Sequence, residues 1–204
     1  MALLSDSSPV GHPLNAAVFR SKTTSWISLF FSLAVLMCVP QAGSQPPSAE
    51  YRLKAVFLFN FAQFVEWPPE SFQSPDAPLV IGILGTDPFG KFLDETVQGE
   101  VVQGRKLEIK RFRSVEEVVA CQILFVSTSE TANYENIFRY LGSKPILTVG
   151  DSPEFAIRGG MVRFLTESNK IRLRINLDPV RAAKLTISSK LLRVAEIIGS
   201  QKEF

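Results

Sequence analysis

Three short runs constrain this chain more than anything else in it. Pro78–Leu84 (PLVIGIL), Ile123–Val126 (ILFV) and Pro145–Val149 (PILTV) are apolar at nearly every position and are bounded by turn residues. Runs this short read as strands buried on both faces, the pattern of a parallel sheet with helices above and below. A further strand, Leu107–Phe112 (LEIKRF), alternates instead.

Helical signals fall between the strands. Glu50 to Trp67 reads as a helix ended by Pro68-Pro69, since proline disfavours helix before and at its own position. Asp87 with Pro88 reads as N-cap and first residue of a helix to about Val97. Ser114 is expected to cap a short helix through Ala120, with Glu116 and Glu117 in its first turn. Ser129 is expected to cap another through about Leu141, stopped by Gly142. Gly150-Asp151 leads into a short helix near Pro153 to Ile157. Then the pattern changes. Met161–Leu165 and Ile171–Leu177 (IRLRINL), joined at Ser168-Asn169, read as a hairpin. Asp178-Pro179 opens a last helical region to about Ile198, divided at Ser188 or Ser189. The fold class expected is α/β: a mostly parallel sheet flanked by helices on both faces, with a C-terminal antiparallel hairpin at the sheet edge and a terminal helix.

The first helix is apolar on most of its circumference, which implies burial. Arg52, Asn60, Gln63 and Glu66 make its narrow polar stripe, and Phe59 projects into that stripe. The chain has 16 Phe. Phe59, Trp67 and Phe89, at element ends or on polar stripes, are candidates for a partner surface, because exposed aromatic clusters mark interfaces.

The N-terminus is different in kind. Arg20 and Lys22 precede Trp26–Val39 (WISLFFSLAVLMCV), an uncharged run shorter than the roughly 20 apolar residues that a bilayer span needs. It suits the core of a secretory signal, with Ala42-Gly43-Ser44 as a small-residue cleavage site and cleavage after Ala42 also compatible. An uncleaved anchor is the alternative. The organisation read from this is an extension and signal over 1–44, a linker over 45–49, one α/β domain over 50–199 and a tail over 200–204. The periplasm is the expected location.

Export changes the chemical inventory. His12 is the chain's one histidine, and Cys38 is one of its two cysteines. Both precede the cleavage site, so the mature domain keeps Cys121 and no histidine. An internal disulfide is excluded, as are metal sites built on His and Cys. Cys121 has no base to activate it and begins an apolar strand, so it reads as a buried thiol. Asp94-Glu95, Glu116-Glu117 and Glu66 read as solvated faces. No catalytic residue, metal or cofactor is expected. The net charge of +2 leaves no basic surface for nucleic acid.

One collective feature points to binding. In an open parallel sheet, ligands sit in the crevice at the carboxyl ends of the strands. Those ends carry Gly85-Thr86-Asp87, Ser127-Thr128-Ser129 and Gly150-Asp151. Gly85, Thr86, Asp87, Ser127, Ser129, Gly150 and Asp151 are therefore candidates for a small-ligand crevice. Helix capping wants the same residues, so both readings stand. The loop Gly82–Asp87 lacks both the dinucleotide spacing and the lysine of a phosphate loop.

Several motifs occur together and in order. They are Lys54-Ala55, Phe57-Leu58, Asn60-Phe61-Ala62 and Glu66-Trp67-Pro68; Gly85-Thr86-Asp87-Pro88-Phe89-Gly90; Gly104-Arg105; Cys121 with Leu124-Phe125-Val126-Ser127; Pro145–Val149; Gly159-Gly160-Met161; Ile175-Asn176-Leu177; and Ile187-Ser188-Ser189 with Leu191-Leu192. In these the chain resembles the YfiR family of periplasmic regulators over about residues 51–199. The resemblance implies an inhibitor that binds the periplasmic sensor part of a membrane diguanylate cyclase, or a comparable sensor kinase, and so restrains cyclic-di-GMP production and biofilm formation. It also implies a homodimer and ligand or redox inputs, although Cys121 alone cannot make an internal disulfide switch.

Overall fold

The computed structural model describes residues 47–168 and 170–199. Residues 1–46, where a secretory leader and its cleavage site are expected, lie outside the described residues, as do Asn169 and the 200–204 tail.

Helix α1 (Ala49–Phe64) comes first, with Ser48 as N-cap accepting from the Tyr51 amide. Strand β1 (Val65–Glu66), a 3₁₀ turn (Pro69–Ser71) and β2 (Leu79–Leu84) follow. Then come α2 (Lys91–Val97), β3 (Val101–Val102), β4 (Arg105–Phe112), a 3₁₀ turn (Val115–Glu117) and β5 (Ile123–Val126). A 3₁₀ segment (Thr128–Asn133) leads into α3 (Tyr134–Leu141), and β6 (Leu147–Gly150), β7 (Val162–Glu167) and β8 (Lys170–Asn176) follow. The chain ends with α4 (Leu177–Ala182), β9 (Thr186–Ile187), α5 (Ser189–Leu192) and β10 (Ala195–Ile198).

Eight strands form one sheet in the order β10-β8-β7-β6-β5-β2-β4-β3. Pairing is parallel from β4 through β2, β5 and β6 to β7, antiparallel in the β7–β8 hairpin, and parallel again from β8 to β10. The expected mixed α/β sheet is therefore what forms. The apolar runs are buried along their length: every residue of β2, β5 and β6 is inaccessible or nearly so. Alternate side chains feed two cores. Leu79, Ile81 and Ile83 join α1, Phe89 and Leu93 on one face. Val80 and Leu84 join Phe112, Val118, Cys121, Tyr134, Ile137 and Phe155 on the other. Each core places apolar area on one side of the sheet, so burial on both faces fixes strand register.

The helix boundaries differ from the sequence reading for local reasons. The chain turns extended at Val65, and Val65 and Glu66 pair with Ile187 and Thr186 of β9; strand pairing to a distant segment overrides the helical pattern before Pro68. Asp87 accepts from the amides of Phe89 and Gly90, so it caps a turn and the helix starts only at Lys91. Ser127 is the cap of the segment expected to start at Ser129. Val115–Glu117 is a single 3₁₀ turn, and Pro153–Ile157 forms turns with no helix.

The largest difference is at the C-terminus. In place of one helical region there are two short helices and two strands. Ser188 does divide them, accepting from the Lys190 amide at the start of α5. Ala195 and Ile197 of β10 pack on the α1-side core, a period of two that a helix could not satisfy. The hairpin thus lies toward this edge of the sheet with β10 outermost.

Candidate functional site

The carboxyl ends of β2, β5 and β6 lie side by side, as the strand order requires. Gly85 follows β2 at φ +86°, and a Cβ there would collide with Ser129 and Glu130. Glycine thus lets two loops close on each other. The Thr86 amide donates to Ser129 Oγ at 3.0 Å, and the Ser127 amide donates to the Leu84 carbonyl at 3.0 Å. Gly85, Thr86, Ser127 and Ser129 are therefore brought together, and the Ser129 amide also donates to Ser127 Oγ at 3.4 Å.

Asp87 and Asp151 turn elsewhere. Arg111 Nε donates to Asp87 Oδ2 at 2.8 Å, and its other nitrogens reach Asp94 at 2.6 Å and the Gly90 carbonyl at 3.0 Å. The Arg111 hydrogen bonds hold the Asp94 carboxyl below the usual carboxylate range and raise the guanidinium.

Asp151 is drawn under α1. Its Oδ2 accepts from Lys54 Nζ at 2.6 Å and from the Tyr51 hydroxyl at 2.9 Å. Lys54 also pairs with Glu50 at 2.7 Å, and Thr166 donates to Glu50. The hydrogen bond from Lys54 is the main reason that the Glu50 carboxyl is held low, against the upward pull of its partial burial. Burial first, and then the Asp151 charge, push the Tyr51 phenol well up. Asp151 Oδ1 is buried with no hydrogen-bond partner. Gly150 has the Phe155 ring where a Cβ would stand. Lys54 and Tyr51 were not candidates from the sequence. The available signal was a lysine on the apolar side of the first helix, away from the polar stripe.

The aromatic candidates need correction. Trp67 is 8% exposed and Phe89 fully buried, so neither presents a surface here. Trp67 Nε1 donates to the Gln122 carbonyl at 3.0 Å, which gives the indole a polar anchor inside the core. Phe89 stands edge-on between Tyr51 and Phe125, with centroids at 5.5 and 4.8 Å. Phe59 is half-buried and packs against the α1-side core. The large apolar residues that do reach solvent include Leu53 and Val56 on α1, and Ile157 and Val194.

Cys121 is buried, and its thiol donates to the Ile123 carbonyl at 3.0 Å. Burial pushes it up to about 12, so it is neither nucleophilic nor exposed for exchange. Among the described residues, no helix is long and apolar enough to cross a membrane.

What this arrangement does chemically is hold loops, through caps, clamps and one buried ion pair. The YfiR/HmsC-like family matches residues 51–196, from the first turn of α1 into β10. A search of curated proteins returned no match. With most of its length matched, the chain belongs to the YfiR/HmsC-like family.

Proposed function

We propose that this protein is an exported regulator that docks on the periplasmic part of a membrane-bound diguanylate cyclase and restrains cyclic-di-GMP output. The observation that carries this reading is the family match across residues 51–196. The leader supports the location, since Arg20, Lys22 and the uncharged run Trp26–Val39 have the form of a secretory signal. The exposed apolar side chains of Leu53 and Val56, three residues apart on α1, support a docking role. A membrane sensor kinase is the other partner of the same kind.

The test is genetic and biochemical. Deleting the gene should raise cellular cyclic-di-GMP and surface attachment, and the full-length gene should reverse both. The tagged protein should co-purify from detergent-solubilised envelope with a diguanylate cyclase. Unchanged cyclic-di-GMP, with a sensor kinase as the captured partner, moves the reading to kinase control. Unchanged cyclic-di-GMP with no signalling protein captured overturns it.

A small-ligand input at the carboxyl ends of the strands is a second reading, favoured by the buried, unpaired Asp151 Oδ1. Such an atom calls for a donor, which a ligand amine or hydroxyl would supply. A thermal-shift screen of amino acids and polyols checks it, because ligand bound to the native state must raise apparent stability.

A further inference from the structure

At one end of the sheet, three of its eight strands, β7, β8 and β10, contribute to the core on a single face. On β7 and β8, Val162, Phe164, Leu173 and Ile175 point into the α1-side core. The alternate residues, Arg163, Leu165, Arg172 and Arg174, point the other way, where no residue of β7, β8 or β10 joins the second core. Residues paired across strands share a face. The register sets Gly150 of β6 beside Arg163 of β7, Arg163 beside Arg174 of β8, and Arg174 beside Glu196 of β10. Two guanidinium side chains therefore spring from directly opposed positions, whose Cβ atoms stand about 5 Å apart.

Like charges in that relation destabilise a sheet, and although the Glu196 and Asp151 carboxylates attract Arg163 through their charge, neither bonds to it. Glu196 serves Arg174, with Oε2 at 2.8 and 2.9 Å from two of its nitrogens. Glu167 pairs with Arg172. Arg163 has no hydrogen-bond or ion-pair partner among the described residues, and its Nε is buried. Burial, followed by the charge of Arg174, lowers its affinity for the proton, against the opposing pull of the Glu196 and Asp151 charges. The turn containing Phe155 and Ala156 closes one side of the position: the Phe155 ring occupies the space over Gly150, and the Ala156 carbonyl accepts from Asn176 Nδ2 at 3.0 Å.

We propose that Arg163, with Arg174 beside it, is a binding site for a small oxyanion, the carboxylate or phosphate group of a free solute, on this open sheet face. An oxyanion between the two guanidinium groups supplies the acceptor that Arg163 Nε lacks and removes the like-charge repulsion. A planar guanidinium fork matches either anion with two parallel hydrogen bonds. Arg174 need not leave Glu196, since a guanidinium carries five donors. The site lies on the face opposite α1 and does not depend on the cyclase reading.

The experiment is an NMR titration of the Arg Nε–Hε resonances in the mature domain, at constant ionic strength, with inorganic phosphate in one arm and acetate in the other. The expected result is a saturable shift at Arg163 and Arg174 and none at Arg113, with the tighter-binding probe naming the preferred anion. Arg163→Gln should weaken that probe by about tenfold or more, as measured on Arg174, because it removes a charge-assisted hydrogen bond. Arg163→Lys retains the charge without the fork and should fall between. A shift that fails to saturate, that appears equally at Arg113, or that survives in Arg163→Gln overturns the proposal. Should Arg163→Gln fail to fold, Arg174→Gln read at Arg163 decides by the same criteria.

Discussion

Lys54 and Asp151, one on the second turn of α1 and the other just past β6, meet at 2.6 Å with side chains 3% and 6% exposed. Removing one member of a buried pair strands the other charge, at about 3–5 kcal/mol. Lys54→Met should cost an amount in that range in urea unfolding, because Asp151 would keep only the Tyr51 hydroxyl. Asp151→Leu should cost less, since Lys54 still has Glu50. The double variant should be more stable than the sum of the single losses implies. Additive losses would show that the pair is not coupled.

Stability should fall on the alkaline side. The Cys121 thiol ordinarily titrates near 9.0 and is raised to about 12 by burial. A folded pKa above the unfolded one means that the native state holds the proton more tightly. The resulting stability is complete below pH 9 and is lost as pH rises toward 12. Tyr51 is raised by burial and acts with the same sign from pH 10 upward. Cys121→Ala should flatten the decline between pH 9 and 10, measured by urea midpoints across pH. Glu50 is held low, so its contribution has the opposite sense, being present at neutral pH and lost as pH falls below 4.5.

The same burial predicts a silent thiol. In the native protein at pH 8, Cys121 should react with an aromatic disulfide reagent only at the rate of unfolding, and promptly in urea. Fast native reaction would mean that the strand opens locally.

Phe155 sits between Gly150 and Gly160, and its ring occupies the Cβ position of each. Gly160→Ala should destabilise by about 1–3 kcal/mol through overpacking. Phe155→Leu should relieve part of that loss in the double variant, which calorimetry can read. A plain sum would mean that the backbone shifts instead.

By contrast, Arg111→Gln should cost only about 1 kcal/mol or less. Its side chain is 41% exposed, and exposed ion pairs contribute little. Raising salt should shrink the difference further.

The central sheet was legible because β2, β5 and β6 are apolar on both faces, which leaves few other structures available to them. Ile123–Val126 falls where the run of side chains puts it. The elements that escaped were those set by distant partners. Val65–Glu66 reads as the end of a helix until Thr186–Ile187 arrives to pair with it, and Ala195–Ile198 becomes a strand because β8 offers an open edge. Of the crevice candidates named from the strand ends, Gly85, Thr86, Ser127 and Ser129 do meet. Asp151 was a candidate too, but its partners Tyr51 and Lys54 sit far back in the sequence, and nothing local announces them. Trp67 and Phe89 were misplaced because an aromatic at an element end looks the same in sequence whether the next element covers it or not.

The small ladder between β1 and β9 ties the segment after the first helix to one near the end of the domain. It works as a clasp. A chain cut short before Thr186 could not close it, and neither could one still being made. The paired segments stand more than a hundred residues apart in the chain, and long-range closure of this kind slows folding. Truncation before Thr186 therefore removes a contact that fixes the exit from the first helix.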